Sequence, residues 1–508
     1  MTAAAPTAAD YETVIGLEVH VQLKTHAKVF AGAPYLHGGT VNPSEITPNT
    51  LTDPVVLALP GALPVLNKAA LEQSIRFGLT TNAQIPAFCN WDRKNYFYPD
   101  SPKNYQISQK DHPVTLGGEV EIELPAPSRN IMGEHKIIRL NHAHLEEDVG
   151  KLTHAASSSL IDFNRAGAAL LEIVTEPDLR SPDEAAAFLN ALRILLVSAN
   201  ISHCDMEKGQ MRCDANVSVR LRGETRLNNR AEIKNLNSIS GVKNAIEYEA
   251  RRQIRETLAG QTLPQETRGW NANSNRSYPL RSKEDAHDYR YFPDPDLMPV
   301  RVSAADIARL ADSLPERPFD RQRRYAQQYK LPYTLTSVLI PDRPLCEYFE
   351  TALAFYPDNP TSLANFIAND FLGALAADPE MRSLHSPVEA ASLRIPPAQL
   401  ASLVKLTDQG TISRQQAREV FVEMFATGQT PESIISARGL HQNTDTSAIE
   451  ALVRETLALP SSAKTIAEIK AGNLKAINSL KGPIMKATKG TANPALVDKL
   501  LRKHLEAL

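Results

Sequence analysis

The chain has 508 residues, of which 42% are hydrophobic and 22% charged, and its formal net charge is −3. This length exceeds what one hydrophobic core normally supports, so two or three domains of an ordinary globular protein are expected. No stretch offers the roughly 18 uncharged apolar residues of a membrane span, and residues 1–10 lack the basic and apolar regions of a signal peptide. We therefore expect a cytoplasmic protein whose residues 1–10 form a disordered tail.

The cysteines and the charge distribution narrow the possible partners. Cys89, Cys204, Cys213 and Cys346 are too few and too scattered for a disulfide scaffold or a CxxC metal site, so buried thiols are predicted. Residues 461–508 carry nine Lys/Arg against three Asp/Glu, a net +6, which leaves −9 on residues 1–460. A basic end on an acidic body favours a polyanionic partner, and a solvated helical surface is the alternative.

The first predicted strand carries candidate metal ligands. Residues 14–23 (VIGLEVHVQL) alternate between apolar side chains and Glu18, His20 and Gln22, so the three polar side chains share one face. A strand face turned to solvent is the alternative interpretation of Glu18 and His20. The strongly apolar character of the strand favours a ligating role for them.

Two later segments contain residues that could bind a ligand, and a purely structural role is the alternative for both. Residues 91–111 interleave the basic Arg93, Lys94, Lys103 and Lys110 with tyrosines and Phe97, a mixture that can stack a base and grip phosphates or simply form a strand edge. Residues 142–151 (HAHLEEDVGK) contain Glu146 and Glu147, and taken alone they indicate an acidic surface turn.

Residues 211–221 and 225–235 alternate polar and apolar side chains about a turn at Gly223 and Glu224, which predicts an antiparallel hairpin. If Gly223 lies at the centre of the loop, Asp214 faces Glu232 with Cβ atoms about 5 Å apart. Like charges so placed repel each other. Oxygen-rich, histidine-poor sets of this kind suit a hard divalent ion such as Mg²⁺, which keeps waters and binds phosphate.

The secondary-structure pattern changes at Pro293, Pro295 and Pro299. Before them, strands alternate with a few strong helices, one beginning at Ser181 and Pro182 and another covering residues 240–258. Beyond them, strand signals almost vanish, and Ser413, Thr430 and Pro494 begin short helices. The predicted domains are therefore an α+β domain over residues 11–295, a helical domain over 296–408 and a helical tail over 409–508.

Several sequence phrases, taken together and in order, resemble the GatB family, the B subunit of the aspartyl/glutamyl-tRNA amidotransferase. They are VIGLEVHVQL, RKNYFYPDSPKNYQISQ, HLEEDVGK, DFNRAG with LLEIVTEPDLRSPDEA, MRCDANVSVR, EIKNLNS and LRSKEDAHDYRYFPDPDL, and KGPIMKATKGTANPALVDKLLRK resembles the YqeY-like tail of that family. The resemblance runs from residue 11 to the end of the chain. It implies a catalytic fold similar to that of glutamine synthetase and guanido kinases, followed by all-α domains.

The resemblance also implies a reaction, its cofactors and its partners. ATP, with Mg²⁺, phosphorylates the side-chain carboxylate of Glu-tRNA(Gln) or Asp-tRNA(Asn), and ammonia then displaces the phosphate to give the amide. The ammonia comes from a separate amidase (glutaminase), which forms a heterotrimer with this chain and a third, small protein, away from any membrane. The chain lacks a Gly/Ser-rich Ser-Ser-Lys region and a persuasive cysteine nucleophile, so glutamine hydrolysis is not expected on it. It also lacks a GxxxxGK[ST] loop, so metal and side chains must hold the phosphates.

By resemblance, the site residues fall into three sets. The catalytic metal ligands are expected to be Glu18, His20, Glu147, Asp214 and Glu232. Alternation along the strand would place Glu147 opposite Glu146, and the sequence leaves open which of the two faces the site. Phosphate or substrate contacts, with structural ion pairs as the alternative, are Lys94, Arg165, Arg281, His287 and Arg290. In the tail, tRNA contacts are Lys481, Lys486 and Lys489, beside Gly482 and Gly490.

The chain departs from the family at one motif. Family members often carry a CxC followed by CPxC, which forms a tetrathiolate zinc knuckle, whereas the corresponding positions here are Ala31, Ala33, Asp53 and Val56. Zinc binding by this loop is therefore not expected, and no proposed Mg²⁺ ligand is lost. Two rival functions remain open: a free-standing metal-dependent phosphohydrolase, and a non-catalytic tRNA-binding paralogue.

Overall fold

The computed structural model describes residues 6–35, 46–155, 157–282, 288–384, 386–440, 446–470, 473, 476–488, 492 and 494–506, without the side chains of 281, 282, 470, 494, 495 and 506. The chain forms two compact units, residues 1–321 and 322–508. The described part of the first unit contains all the strands, and the described part of the second is helical. The predicted change from an α+β region to a helical region is thereby confirmed.

The strands of the first unit form one large sheet and three small ones. They are β1 Tyr11–Gln22, β2 Phe88–Cys89, β3 Asp92–Asn95, β4 Tyr105–Ser108, β5 Thr115–Leu116, β6 Glu119–Glu123, β7 His135–Glu147, β8 Lys151–His154, β9 Ser159–Asp162, β10 Ala169–Thr175, β11 Met211–Leu221, β12 Ala231–Leu236, β13 Glu266–Asn271, β14 Arg276–Ser282, β15 Phe292–Pro293 and β16 Val300–Arg301. In the large sheet the order is β14-β13-β12-β11-β1-β10-β7-β5, with β6 also on β7. Pairing there is antiparallel except between β12 and β13.

The main sheet is covered on one face, because every second side chain of its central strands is apolar. On β1, Ile15, Leu17, Val19 and Val21 lie in the core of the first unit, at most 1% exposed. Helices of the same unit pack on this face and contribute apolar side chains to the same core. They are α1 Lys68–Thr80, α2 Pro182–Ser198, α3 Ile239–Leu258 and α4 Ala304–Asp312, and α5 Pro318–Gln328 follows them across the unit boundary.

The predicted helix starts are confirmed at their capping residues. The Ser181 side chain accepts from the Glu184 amide at the start of α2, with Pro182 in the first turn. The Glu184 carboxylate accepts from the Arg180 amide, one residue earlier than a capping box would have it. Near the N-terminus, Ala8–Asp10 form a 3₁₀ turn, so the described end of the predicted disordered tail is ordered.

The second unit consists of short helices around two apolar cores. The helices are α6 Tyr333–Leu339, α7 Arg343–Phe355, α8 Pro360–Phe366, α9 Leu372–Ala377, α10 Pro379–Ser383, α11 Pro387–Arg394, α12 Pro397–Asp408, α13 Arg414–Thr427, α14 Pro431–Arg438, α15 Thr446–Ala458, α16 Ala463–Lys470, α17 Ile477–Ala487 and α18 Pro494–Glu506, with a π-helical turn at Ile367–Phe371 and a 3₁₀ turn at Pro460–Ser462. As predicted, Ser413 and Thr430 cap α13 and α14, and Gly428 and Gly439 follow them in the left-handed conformation.

The apolar cores end at other positions than the predicted domain boundaries. The core of the first unit includes Val302 and Leu310, beyond the predicted boundary at residue 295. The first core of the second unit runs from Tyr325 to Ile435, so the predicted boundary at residue 408 falls inside it. A separate core begins at Ile449 and ends at Leu501. Within the described ranges, no helix has both the length and the apolar character needed to cross a membrane.

Candidate active site

The second face of the main sheet carries the polar side chains of β1 and its neighbours. Residues directly opposite each other in antiparallel strands point to the same face. His20 of β1 lies opposite Glu172 of β10 and Arg212 of β11, and Glu172 in turn lies opposite His144 of β7. The polar face predicted for the first strand is therefore extended by three neighbouring strands. We call it the open face.

Two imidazoles and two carboxylates come together at the centre of the open face, and we call His20, His144, Glu146 and Glu172 the histidine cluster. Nε2 of His20 lies 3.2 Å from Oε2 of Glu172, and Nε2 of His144 lies 3.4 Å from the same oxygen. Nε2 of His144 is also 3.7 Å from Oε2 of Glu146. All four side chains are largely buried, with between 2% and 21% of each exposed.

The charges of the histidine cluster stabilise one another against burial. Burial alone would raise the pKa of Glu172, but His144 and His20 hold it well below its ordinary value. Burial alone would likewise raise the pKa of Glu146, which Lys94 and His144 lower. Burial would lower the pKa of His144, yet the two carboxylates raise it to about 10. Both carboxylates are therefore ionised at neutral pH.

This cluster fits a divalent cation. Ligand atoms of His20, Glu146 and Glu172 all lie within 4.8 Å of one another. Two ionised carboxylates and an imidazole are an adequate donor set for a magnesium ion, which usually retains several waters and needs few protein ligands. Lys94 adds a positive charge at the edge, with Nζ 3.7 Å from Oε2 of Glu146 and 5.3 Å from the centre of the Tyr289 ring.

The predicted pair of Asp214 and Glu232 is also on the open face, but the register differs from the prediction. Asn216, not Asp214, lies opposite Glu232, and a bulge follows between residues 213 and 215. The reason is that β12 begins only at Ala231, so the connection is longer than the predicted tight turn. The prediction that Asp214 faces Glu232 was therefore wrong.

A lysine of the chain lies between these two carboxylates. Nζ of Lys234 is 2.7 Å from Oδ2 of Asp214 and 2.7 Å from Oε1 of Glu232, and we call this group the lysine-bridged pair. Burial alone would lower the pKa of Lys234, but the two carboxylates raise it above its ordinary value. The repulsion that suggested a metal is thus offset by an ammonium group.

Glu18 lies beside the lysine-bridged pair, on the same face. Its Oε1 accepts a hydrogen bond from Nδ2 of Asn216 at 2.9 Å. Burial raises the pKa of Glu18, and so do the charges of Glu172 and Glu232. This carboxylate therefore experiences both acidic groups of the open face, and its role as a metal ligand stays a prediction.

Glu147, the residue chosen by resemblance, points away from the histidine cluster. Its neighbour Glu146 faces the cluster, and alternation along β7 therefore turns Glu147 to the opposite face of the sheet. There its carboxylate pairs with Lys103 at 2.5 Å and accepts from the amide of Ile107 at 2.8 Å. Among the adjacent glutamates, Glu146 replaces Glu147 as the candidate ligand.

The structure places the remaining predicted phosphate or substrate contacts differently, and it does not describe all of them. Arg165 donates to the carbonyls of Val149 and Gly150 at 2.9 and 2.6 Å. Arg290 is exposed, with φ of 45°. The Arg281 side chain and all of His287 lie outside the described residues.

The tail lysines give a mixed result. Lys481 on α17 forms an ion pair with Asp498 at 2.5 Å, which partly neutralises it. Lys486 is exposed on the same helix. Lys489 and Gly490 lie outside the described residues. The predicted contacts of these lysines with tRNA stay predictions.

The four positions that correspond to the family's zinc knuckle carry no cysteine in this chain. Apolar contacts and the hydrogen bonds of one carboxylate hold them in place. Ala33, Val56 and Ala166 form a small buried cluster against Ala31 and Phe163. The carboxylate of Asp53 accepts from the amide of Val56 at 2.8 Å and from that of Ala33 at 3.1 Å. The donor atoms here do not fit a tetrathiolate zinc site.

A cleft adjoins the open face near Glu18. It has a volume of about 370 Å³ and is lined by residues from several strands and loops. Among them are Gly16, Glu18, Asn216, Asn228 and Gln265. Its volume falls within the usual range of ligand clefts, and its amide groups can hydrogen-bond a polar ring.

Sequence reasoning missed several residues of this face, among them Glu172, Arg212 and Lys234, and it left the choice between Glu146 and Glu147 open. Glu172 had a usable signal, because it is a lone carboxylate inside the buried apolar strand β10, whose other residues are mostly buried. Lys234 had none, because its role depends on the register of β12.

Comparison with known proteins gives consistent matches over nearly the whole chain. A family model described as the GatB/GatE catalytic domain matches residues 13–308, and one described as a GatB domain matches residues 347–505. A curated protein from Opitutus terrae, named as the B subunit of aspartyl/glutamyl-tRNA(Asn/Gln) amidotransferase, is 54% identical over 98% of this chain and 100% of its own length. Proteins of the same name from Methylacidiphilum infernorum and Moorella thermoacetica are 44% and 43% identical over 98% of this chain and 99% and 100% of their own lengths.

Proposed function

We infer the function from a premise that these matches establish, which is that the chain belongs to the GatB family of amidotransferase subunits. We propose that it is the GatB subunit of a cytoplasmic tRNA-dependent amidotransferase. It would use ATP to phosphorylate the side-chain carboxylate of Glu-tRNA(Gln), Asp-tRNA(Asn) or both, and would then amidate it with ammonia. This makes it a carbon–nitrogen ligase with glutamine as amido donor, acting in a heterotrimer beside an amidase (glutaminase) and a third, small protein.

The observation that carries this proposal is the histidine cluster. Ligand atoms of His20, Glu146 and Glu172 within 4.8 Å of one another form a site for Mg²⁺ on the open face of an antiparallel sheet. A magnesium ion held there would neutralise phosphate oxygens and align ATP with the acceptor carboxylate. A large sheet with one polar face also agrees with the proposed likeness to glutamine synthetase and guanido kinases.

The remaining side chains of the open face have complementary roles in this proposal. Lys94 lies at the cluster edge, 3.7 Å from Glu146, where its ammonium group would attract the terminal phosphate. The cleft beside Glu18 would receive the nucleoside, because it opens next to a residue of the same strand as His20 and is lined by amide groups. The lysine-bridged pair would hold the two strands in register without consuming a metal ion.

Reconstitution of the chain with its amidase and small partner proteins tests the proposal. We expect amide formation on mischarged tRNA that depends on ATP and Mg²⁺ and consumes ATP only when the mischarged tRNA is present. ATP hydrolysis at the same rate without tRNA would support a phosphohydrolase instead. Binding of tRNA without amidation would support a non-catalytic paralogue. Assays on both Glu-tRNA(Gln) and Asp-tRNA(Asn) show which substrate the complex uses.

A further inference from the structure

Arg212 is a cation of the open face whose hydrogen-bonding capacity is largely unused. It lies directly opposite His20, so its side chain points to the same face as that imidazole. A guanidinium has five N–H donors. In the described part of the chain its hydrogen-bond acceptor is Asp148, whose Oδ2 lies 2.7 Å from Nη2, and Nε is buried without an acceptor. With 35% of the side chain exposed, the group can reach a ligand.

The other described cations near this position are already held by protein acceptors. Lys234 lies 2.7 Å from each of two carboxylates. Arg165 donates to two carbonyls, and Lys94 pairs with Glu146. Among these described cations, Arg212 therefore has the largest unused donor set.

Asp148 fixes the orientation of Arg212. Its side chain is only 2% exposed, and its Oδ2 also accepts from Nε2 of Gln22 at 2.9 Å. Its Oδ1 accepts from the amide of Val149 at 2.9 Å. Because both oxygens of Asp148 are fixed by hydrogen bonds, the carboxylate also fixes the orientation of the guanidinium. Little conformational entropy is therefore lost when Arg212 binds an anion.

We propose that Arg212 is a catalytic residue that contacts the phosphoryl group during its transfer and its release. The proposal rests on the proposed function and assigns to Arg212 a role at that same site. A guanidinium can donate two parallel hydrogen bonds to a tetrahedral oxyanion, which an ammonium group cannot do. Such donors act most strongly when charge builds up on the transferred group.

In both chemical steps of the proposed reaction, negative charge builds up on the oxygens of the same phosphoryl group. First, an oxygen of the substrate carboxylate bonds to the γ-phosphorus of ATP, the bond from phosphorus to the bridging oxygen breaks, and ADP leaves with that electron pair. Ammonia then bonds to the acyl carbon and the bond from carbon to the phosphate oxygen breaks. Phosphate leaves with the electron pair and takes up the proton that nitrogen loses. Arg212 would hold the same phosphoryl oxygens in both steps.

The experiment compares Arg212→Lys with Arg220→Lys in the reconstituted complex. Arg220 is a matched control because it lies on the same strand, is 12% exposed and pairs with Glu12 at 2.6 Å. For Arg212→Lys we expect kcat for amidation to fall about 10²-fold. Product inhibition by inorganic phosphate should weaken about tenfold, while KM for the mischarged tRNA stays within about twofold. The control should keep wild-type values.

Unchanged amidation by Arg212→Lys would overturn the proposal. So would unchanged inhibition by phosphate together with a lower melting temperature, because Arg212 would then serve only to hold Asp148. If Arg212→Lys does not fold, Asp148→Asn takes its place, since it keeps the guanidinium but loosens its anchor. This variant should also weaken inhibition by phosphate, and unchanged inhibition would count against the proposal. A wild-type complex without any amidation would refute the proposed function itself, which distinguishes the two failures.

Discussion

The open face holds two acidic groups that solve the same electrostatic problem in different ways. In the histidine cluster, imidazoles and a lysine 3.7 Å from Glu146 balance the negative charges of Glu146 and Glu172. Ligand atoms that could hold a metal ion still lie close together there. In the lysine-bridged pair, an ammonium group lies 2.7 Å from both carboxylates and fills that place. The two groups therefore differ in whether ligand atoms close enough to share one ion remain beside the cationic side chains, and clustered carboxylates alone do not indicate a metal site.

The largest effect is expected from Glu172→Gln, which removes the central carboxylate of the histidine cluster. Both His20 and His144 contact Glu172, so its loss removes a proposed metal ligand and frees two imidazoles. We expect amidation by the complex to fall by about 10²-fold or more, the loss typical of disturbed metal sites. A titration of the rate against Mg²⁺ measures it. Glu247→Gln on α3, whose side chain is 44% exposed and pairs with Arg251 of the same helix, is the control, and equal rates for both variants would contradict the assignment.

The adjacent glutamates of β7 provide a second contrast. Glu146→Gln should lower amidation about 10- to 10²-fold and raise the Mg²⁺ concentration needed for half-maximal rate, because Glu146 faces the cluster. Glu147→Gln should instead cost about 1–3 kcal/mol of the free energy of unfolding, since it breaks the ion pair with Lys103 and the bond from Ile107. Urea unfolding and amidation assays of both variants measure the contrast. A larger loss of Mg²⁺ affinity in Glu147→Gln would show that the resemblance had chosen the right residue.

Lys234→Met should convert the lysine-bridged pair into a group that responds to metal ions. The variant leaves Asp214 and Glu232 without their shared cation, and we expect a cost of about 1–2 kcal/mol, less than for a fully buried pair because a third of the lysine is exposed. Added Mg²⁺ should restore part of the melting temperature of the variant but not that of the wild type. The same Mg²⁺ response in both proteins would show that Lys234 does not take the place of a metal ion.

An effect on stability alone, confined to alkaline pH, concerns a buried lysine outside both groups. Burial lowers the pKa of Lys28 to about 8, from an ordinary value of about 10.4. Between pH 8 and about 10.4 the unfolded chain therefore binds more protons at this position than the folded chain, so the contribution of Lys28 to stability rises with pH. Relative to Lys28→Met, the wild-type free energy of unfolding should gain up to about 3 kcal/mol across that window. Parallel pH dependences of the two proteins would contradict this.

What the sequence could predict here depends on how local the determining interaction is. Strand β1 and the capped helices α2, α13 and α14 follow from periodicity and capping residues a few positions apart. The placement of His20 on the polar face follows in the same way. The register of β12 depends on a loop of about ten residues, and a shift of two positions separates Asp214 from Glu232.

The choice between Glu146 and Glu147 shows a second limit. Alternation along β7 requires the two side chains to point to opposite faces, but periodicity alone does not say which face is covered by helices. The pairing of Glu146 with Leu170 of β10 decides it, and that contact joins residues 24 positions apart. The role of Arg212 likewise depends on its place opposite His20 in a neighbouring strand.

Asp53 fixes two positions of a loop in the catalytic unit without a bound metal ion and without cysteine. Its carboxylate holds the amides of Ala33 and Val56, and alanine and valine side chains fill the space between. A carboxylate is not lost to a chelating agent or converted to a disulfide by an oxidant, whereas a thiolate site is open to both. The contacts that hold Ala33 and Val56 should therefore persist when metal supply falls or peroxide rises, conditions under which a cysteine-bearing relative would lose the corresponding metal site.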